Sequence, residues 1–128
     1  LFSADQVEAA DFVEVNAPGD AVFLTGGQHN NPVSALTGRK LVCGTGTYLF
    51  FHGVDYSRQQ QAARDMYESP AANAALFDRY AVDYIYVSAY ERSDYAVDED
   101  YFSEHFPVWF RNGEVTVYAV SARARQNG

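Results

Sequence analysis

Apolar and polar positions alternate along the chain in two rhythms, one helical and one extended. The opening stretch LFSADQVEAADFVEVNAPGD carries the first: Ala9, Ala10, Phe12 and Val13 share one face of a helical wheel, and Glu8, Asp11 and Glu14 the other. Ser3, with Gln6 three residues later, forms a capping box, and Pro18-Gly19 ends the element. AVFLTG is a short continuous apolar run of the kind found in a buried central strand. PVSALTG (32–38) has the length of one or two helical turns, and RKLVCG (39–44) reads as a second strand. The segment TGTYLFFHGVDY has no assignable periodicity.

SRQQQAARDMYES (57–69) is again helical, with Ser57 and Gln60 as a second capping box and Ala62, Ala63, Met66 and Tyr67 facing inward. NAALFDRYA (73–81) is a shorter helix capped by Asn73, burying Leu76, Phe77 and Tyr80. VDYIYVSAY (82–90) reads as a third strand; Asp98 then caps EDYFSEHF, whose Phe102 and Phe106 pair at i,i+4. Finally, PVWFRNGEVTVYAV places two alternating runs around Asn112-Gly113, a pair suited to the positive φ angles of a type I′ hairpin turn.

Strands alternating with helices, followed by a hairpin, predict one small α/β domain, Rossmann-like and of two or three layers. Its mixed sheet has about three parallel strands and an antiparallel edge formed by the C-terminal hairpin. The expected boundaries are an N-terminal helix at 1–18, the α/β core at 19–120 and a loose tail at 121–128.

Composition narrows the function classes. A net charge of −8 with scattered basic residues excludes a nucleic-acid partner, because phosphate backbones are held by an excess of Lys and Arg. Cys43 is the single cysteine, which rules out an intrachain disulfide and a cysteine zinc site; inside KLVCG it reads as a small buried hydrophobe. No apolar run reaches the ~18 residues of a membrane span. The chain begins with Leu and reads as a piece cut from something longer or as a processed product.

In a parallel sheet, ligands bind beyond the carboxyl ends of the strands. Here those exits are TGGQHNNP, GTGTYLFFHGVDY and AYERSDY, all dense in polar and aromatic groups. The binding candidates at this edge are His29, Asn30, Asn31, Arg39, Tyr48, His52, Asp55, Tyr56, Glu91 and Arg92. TGGQHNNP could cradle a phosphate as a backbone nest, yet it has no G-x-G-x-x-G and no Walker lysine, and a turn with Gly26 and Gly27 at positive φ explains it as well. His29, His52, Asp55 and Glu91 could hold a metal only if their loops converge, and their spacing does not enforce it. Ser88 and Ser93 lack the G-x-S-x-G elbow of a hydrolase nucleophile. No cofactor is implied.

As an ordered set, DAVFLTGGQHNNPVSALTGRKLVCGTG, YLFFHGVDYSRQ and YAVDYIYVSAYERSDY, ending in NGEVTVYAV, resemble the C-terminal soluble domain of bacterial multi-pass membrane proteins of the GT-C glycosyltransferase class. The stretch after the last membrane span in that class has the form W-I-x-x-N-T-P-x-D-A-V; Phe12, Val13, Asn16, Ala17, Pro18, Asp20, Ala21 and Val22 take those places, with Ala17 departing from Thr. Ala81 departs from the glycine of Y-G-V-D-Y. The resemblance implies a parent in the bacterial cell membrane that transfers sugar from a polyprenyl-phosphate donor on the extracytoplasmic face. The catalytic carboxylate of that class lies in an early external loop absent from this chain, so no residue here is assigned a catalytic role. The implied partners are the membrane-embedded part of the parent and a glycan or polyprenyl-phosphate-linked sugar. An independent nucleotide or sugar-phosphate binder, and less so a metal-dependent hydrolase, are the alternatives.

Overall fold

The computed structural model describes residues 1–27, 31–43 and 56–126, Tyr56 by its backbone alone. In chain order the elements are α1 (Ala4–Asn16), β1 (Val22–Leu24), α2 (Pro32–Thr37), β2 (Lys40–Leu41), α3 (Tyr56–Glu68), α4 (Ala74–Arg79), β3 (Tyr84–Val87), α5 (Ala89–Asp94), α6 (Glu99–His105), β4 (Val108–Arg111), β5 (Thr116–Ala119) and α7 (Ala122–Gln126). The five strands form one sheet in the order β2-β1-β3-β5-β4. β1 runs parallel to both β2 and β3, whereas β5 is antiparallel to β3 and to β4. This is the mixed α/β sheet the sequence predicts.

The period-2 alternation of the strands splits the core in two and makes the domain three-layered. Phe23, Tyr84, Tyr86, Val117 and Ala119 point to one face, where Ala9 and Val13 of α1, Val33 of α2 and Ala124 of α7 cover them. Leu24, Ile85, Val87 and Tyr118 point to the other, under Ala62, Ala63, Met66 and Tyr67 of α3, Phe77 of α4 and Phe102 of α6. The inward faces expected for α1 and α3 are the ones buried.

Local chemistry sets most helix ends. Ser3 and Gln6 make the reciprocal capping box of α1, Asn31 accepts the Val33 amide at the start of α2, and Asp98 accepts the Tyr101 amide at the start of α6. Gly38, at φ +68°, closes α2 in the left-handed region that only glycine enters freely.

Six local expectations differ from the structure. Neither Gly26 nor Gly27 is at positive φ. The third strand stops at Val87, and Ser88 caps α5 instead of continuing β3. α3 includes Ser57, so that residue is not its cap. Asn73 gives α4 no side-chain cap, because its amide donates backward to the Ser69 carbonyl. The hairpin turn is not type I′: Asn112 and Gly113 are not at positive φ, and the Asn112 side-chain oxygen instead accepts the amides of Glu114 and Val115. The tail is not loose up to Gln126, since α7 buries Ala124 completely and ties Arg123 to Asp83.

α4 ends in a motif built for glycine. The Val82 amide reaches back to the Phe77 carbonyl at 2.9 Å and the Ala81 amide to Asp78 at 3.1 Å, the two bonds of a Schellman cap. The residue between must be left-handed, and it is Ala81 at φ +54°. An L side chain there costs about 1 kcal/mol. Ala81→Gly is therefore expected to stabilise the fold by about 0.5–1 kcal/mol, read as a raised urea midpoint at unchanged slope.

Candidate functional site

The order β2-β1-β3 creates a topological switch point. The chain leaving β1 turns to the α1–α2 side of the sheet, and the chain leaving β3 turns through α5 to the α3–α6 side. Adjacent parallel strands that send their exits to opposite faces leave a crevice between their carboxyl ends, where ligands of open α/β sheets bind.

A cleft of about 430 Å³ occupies that crevice, lined by Gly27 from the β1 exit, Ser57, Gln60, Gln61 and Arg64 from α3, and Tyr90, Asp94 and Tyr95 from the β3 exit. The α3 residues are spaced i, i+3, i+4 and i+7 and so share one side of their helix. That volume lies within the range of small-molecule pockets.

The walls are held from beneath. The Tyr67 hydroxyl lies 2.5 Å from the Tyr86 carbonyl and 3.1 Å from the Leu24 carbonyl, bridging the ends of β3 and β1. Its ring stacks on that of Tyr95 with centroids 5.0 Å apart, and the Arg64 guanidinium sits 4.8 Å above the Tyr95 ring. Arg64 also donates to Glu68, whose carboxylate accepts the Ala96 amide. Burial pushes the phenol pKa values of Tyr90 and Tyr95 up, and that of Tyr67 well up, so these hydroxyls are neutral at physiological pH.

Glu91 holds the two exits together. It is completely buried; its carboxyl accepts the Gly26 amide at 2.8 Å, the Ser88 amide at 2.9 Å and the Ser88 hydroxyl at 2.5 Å, closing the capping box of α5. Burial raises its pKa, more than these bonds lower it. A Cβ at Gly26 would stand 2.6 Å from the Tyr90 ring and 3.0 Å from the Glu91 carboxyl, so only glycine lets Tyr90 lie against the strand exit. The Gly27 amide is engaged too, donating to the Tyr95 hydroxyl at 3.4 Å.

Of the binding candidates drawn from the sequence, His29, Asn30, Tyr48, His52 and Asp55 lie outside the described residues, and so does the side chain of Tyr56. Asn31 is a buried helix cap. Arg39 precedes β2 and therefore sits at the opposite, amino edge of the sheet, donating to the Ala17, Pro18 and Thr37 carbonyls and to Glu14. Arg92 is turned away from the cleft residues of α5, pairing with Glu99 and donating to the Glu114 carbonyl. Glu91 is at the predicted edge, but as its internal brace. Among the described residues no three His, Cys, Asp or Glu side chains are placed to hold a metal. Cys43 is buried, as expected, behind Gly27.

Sequence reasoning missed Gln60, Gln61 and Arg64 as cleft residues: Gln60 reads as half of a capping box with Ser57, and none of the three belongs to the inward face expected for the helix. It also missed the S-x-x-E signature of Ser88 and Glu91, which was legible as a capping box.

A second cavity, about 470 Å³, lies at the amino edge between Asp20, Phe77, Asp78, Asp83, Ser121 and Arg123. Its buried carboxylate is already saturated: Asp83 accepts from the Val22 amide, the Ser121 hydroxyl and two nitrogens of Arg123. That arrangement joins α7 to the start of β3 and leaves Asp83 nothing to offer a ligand. The cleft at the carboxyl edge, with exposed amides and a half-buried tyrosine, is the functional candidate.

No protein-family model matches the chain, and no curated protein matches it significantly. None of the described helices is long and apolar enough to cross a membrane.

Proposed function

We propose that the chain is a non-catalytic extracytoplasmic domain of a membrane glycosyltransferase-like protein, contacting the acceptor glycan, the lipid-linked donor or the membrane part through the cleft at the carboxyl edge of its sheet. The observation that carries this reading is the cleft's position and lining. Two strand exits and one helix converge at the switch point and present amide, hydroxyl and aromatic groups, which match the hydroxyls and apolar ring faces of a sugar. The sequence resemblance supplies the parent class. Gly26 and Gly27 direct their amides into the protein, so these two described glycines do not serve as a phosphate nest.

Two measurements test the proposal. The coding sequence upstream of Leu1 is expected to contain a run of membrane spans, and deleting this domain from the full-length protein is expected to abolish sugar transfer in membranes. Transfer at the undeleted rate, with the remaining protein inserted normally, overturns the proposal.

A further inference from the structure

The geometry points to an uncharged saccharide, and not a phosphorylated one, as the ligand of the carboxyl-edge cleft. This rests on the proposed sugar-contacting role and narrows it to the acceptor side of the reaction.

A phosphate at the exit of a β-strand is normally held by free backbone amides and a free cation. Neither is on offer among the described residues. The Gly26 amide, with that of Ser88, already closes on a carboxyl, because Glu91 stands where an external anion would be received. The Gly27 amide closes on Tyr95. Arg64 is the single cation among the described residues of the lining, and it is paired with Glu68 and laid over the Tyr95 ring. Asp94, which pairs with no cation among the described residues, lies in the same lining, so a dianionic ligand meets a negative charge.

What remains suits a polyol. Gln60 and Gln61 each carry an amide with both donors and an acceptor, Asp94 is a strong acceptor, and Tyr90 offers a half-buried ring with a polar tip. Gln61 keeps one donor on Asp65 and has its carbonyl oxygen left to receive a hydroxyl. Gly26 fixes the Tyr90 ring against the strand exit, since any side chain at 26 collides with it.

Saturation-transfer NMR on the 128-residue chain tests this, using maltose, cellobiose, lactose and diacetylchitobiose as neutral probes, with glucose 1-phosphate and inorganic phosphate followed by phosphorus line width. At least one neutral disaccharide is expected to receive saturation, and its affinity is expected to drop at least tenfold in Gln60→Ala and in Tyr90→Ala. The phosphorus lines are expected to stay sharp. Gln60 is exposed, so its variant reports on the cleft even if Tyr90→Ala unfolds. Tighter binding of glucose 1-phosphate or phosphate, lost in Gln60→Ala, overturns the ligand class while leaving the cleft as the contact face. Silence from every probe overturns both the ligand class and the sugar-contacting role.

Discussion

Replacing Arg39 with alanine is expected to lower the stability of the fold by about 2–4 kcal/mol, the loss of several charge-assisted bonds from one largely buried side chain. α1 ends without a basic residue in its last turn, and its carbonyls converge on the guanidinium of Arg39 instead. The Nε donates to Pro18 at 3.0 Å, one terminal nitrogen to Thr37 at 3.0 Å and Glu14 at 2.7 Å, the other to Ala17 at 2.9 Å and Glu14 at 3.2 Å. One planar fork thus satisfies the ends of α1 and α2 together and places a positive charge at both negative dipole ends. Removal leaves those carbonyls with only water to replace it, and the thermal midpoint should fall by roughly 8–15 °C for a domain of this size. Arg39→Lys supplies the charge but not the fork, so it is expected to recover no more than ~1 kcal/mol of the loss. A midpoint within two degrees of wild type in Arg39→Ala, read by circular dichroism, contradicts the bonding described.

Arg39 also shows where sequence reading fails. Its residue type and position suggest a free cation near a loop, and nothing local reveals that Pro18, Ala17 and Glu14, 21 to 25 residues earlier, are its partners. The elements that were legible are those whose information is local. The i,i+3,i+4 repeat fixes the buried faces of α1 and α3, and alternating Tyr84, Ile85, Tyr86 and Val87 fixes the two faces of β3. The mixed character of the sheet, with parallel early strands and the terminal hairpin as an antiparallel edge, followed from topology rules, whereas the order β2-β1-β3-β5-β4 comes from the structure. The edge of the sheet that carries the candidate site was legible for the same reason. Its individual residues were not, since Gln60, Gln61 and Arg64 become cleft residues only when α3 docks beside the exits of β1 and β3.

The turn at Asn112 gives a second kind of failure. Asn-Gly is a strong local signal for a type I′ turn, yet side-chain bonding by Asn112 was the alternative the same residue always offers. Tertiary contact decides between them: the Asn112 amide donates to the Asp5 carbonyl and to Glu8, anchoring the hairpin on α1. Ala81 is the converse case. No glycine marks a left-handed stop at Ala81, yet packing of Val82 and Phe77 into the same core cluster holds the Schellman geometry at the cost of strain.

Asp83→Ala is expected to cost about 2–3 kcal/mol, toward the lower end for a broken buried pair because Arg123 is half-exposed and regains water. The carboxylate is almost completely buried, with Oδ2 bonded to the Val22 amide and Arg123, and Oδ1 to the Ser121 hydroxyl and Arg123. Burial alone would raise its pKa, but the bonds from Arg123, Ser121 and Val22 together outweigh it and hold the group below the usual carboxylate range. A lowered folded-state pKa gives stability that is fully present above about pH 4 and is lost as the pH falls through the folded value. Glu91, at the other edge of the sheet, has the opposite sign. Its raised pKa gives stability that is present below the unfolded value and lost as the pH rises through the folded one. Urea titrations between pH 3 and pH 7 therefore separate the two ends of the sheet. In Asp83→Asn, which keeps the acceptor for Val22 but not the charge, the loss of stability below pH 4 should shrink while the fall as pH rises past the ordinary glutamate range remains. In Glu91→Gln the low-pH loss should remain and that fall on the high-pH side should disappear. An Asp83→Asn chain whose acid limb matches wild type would mean that Asp83 is not held ionised by Arg123, and the join between α7 and β3 would need another explanation.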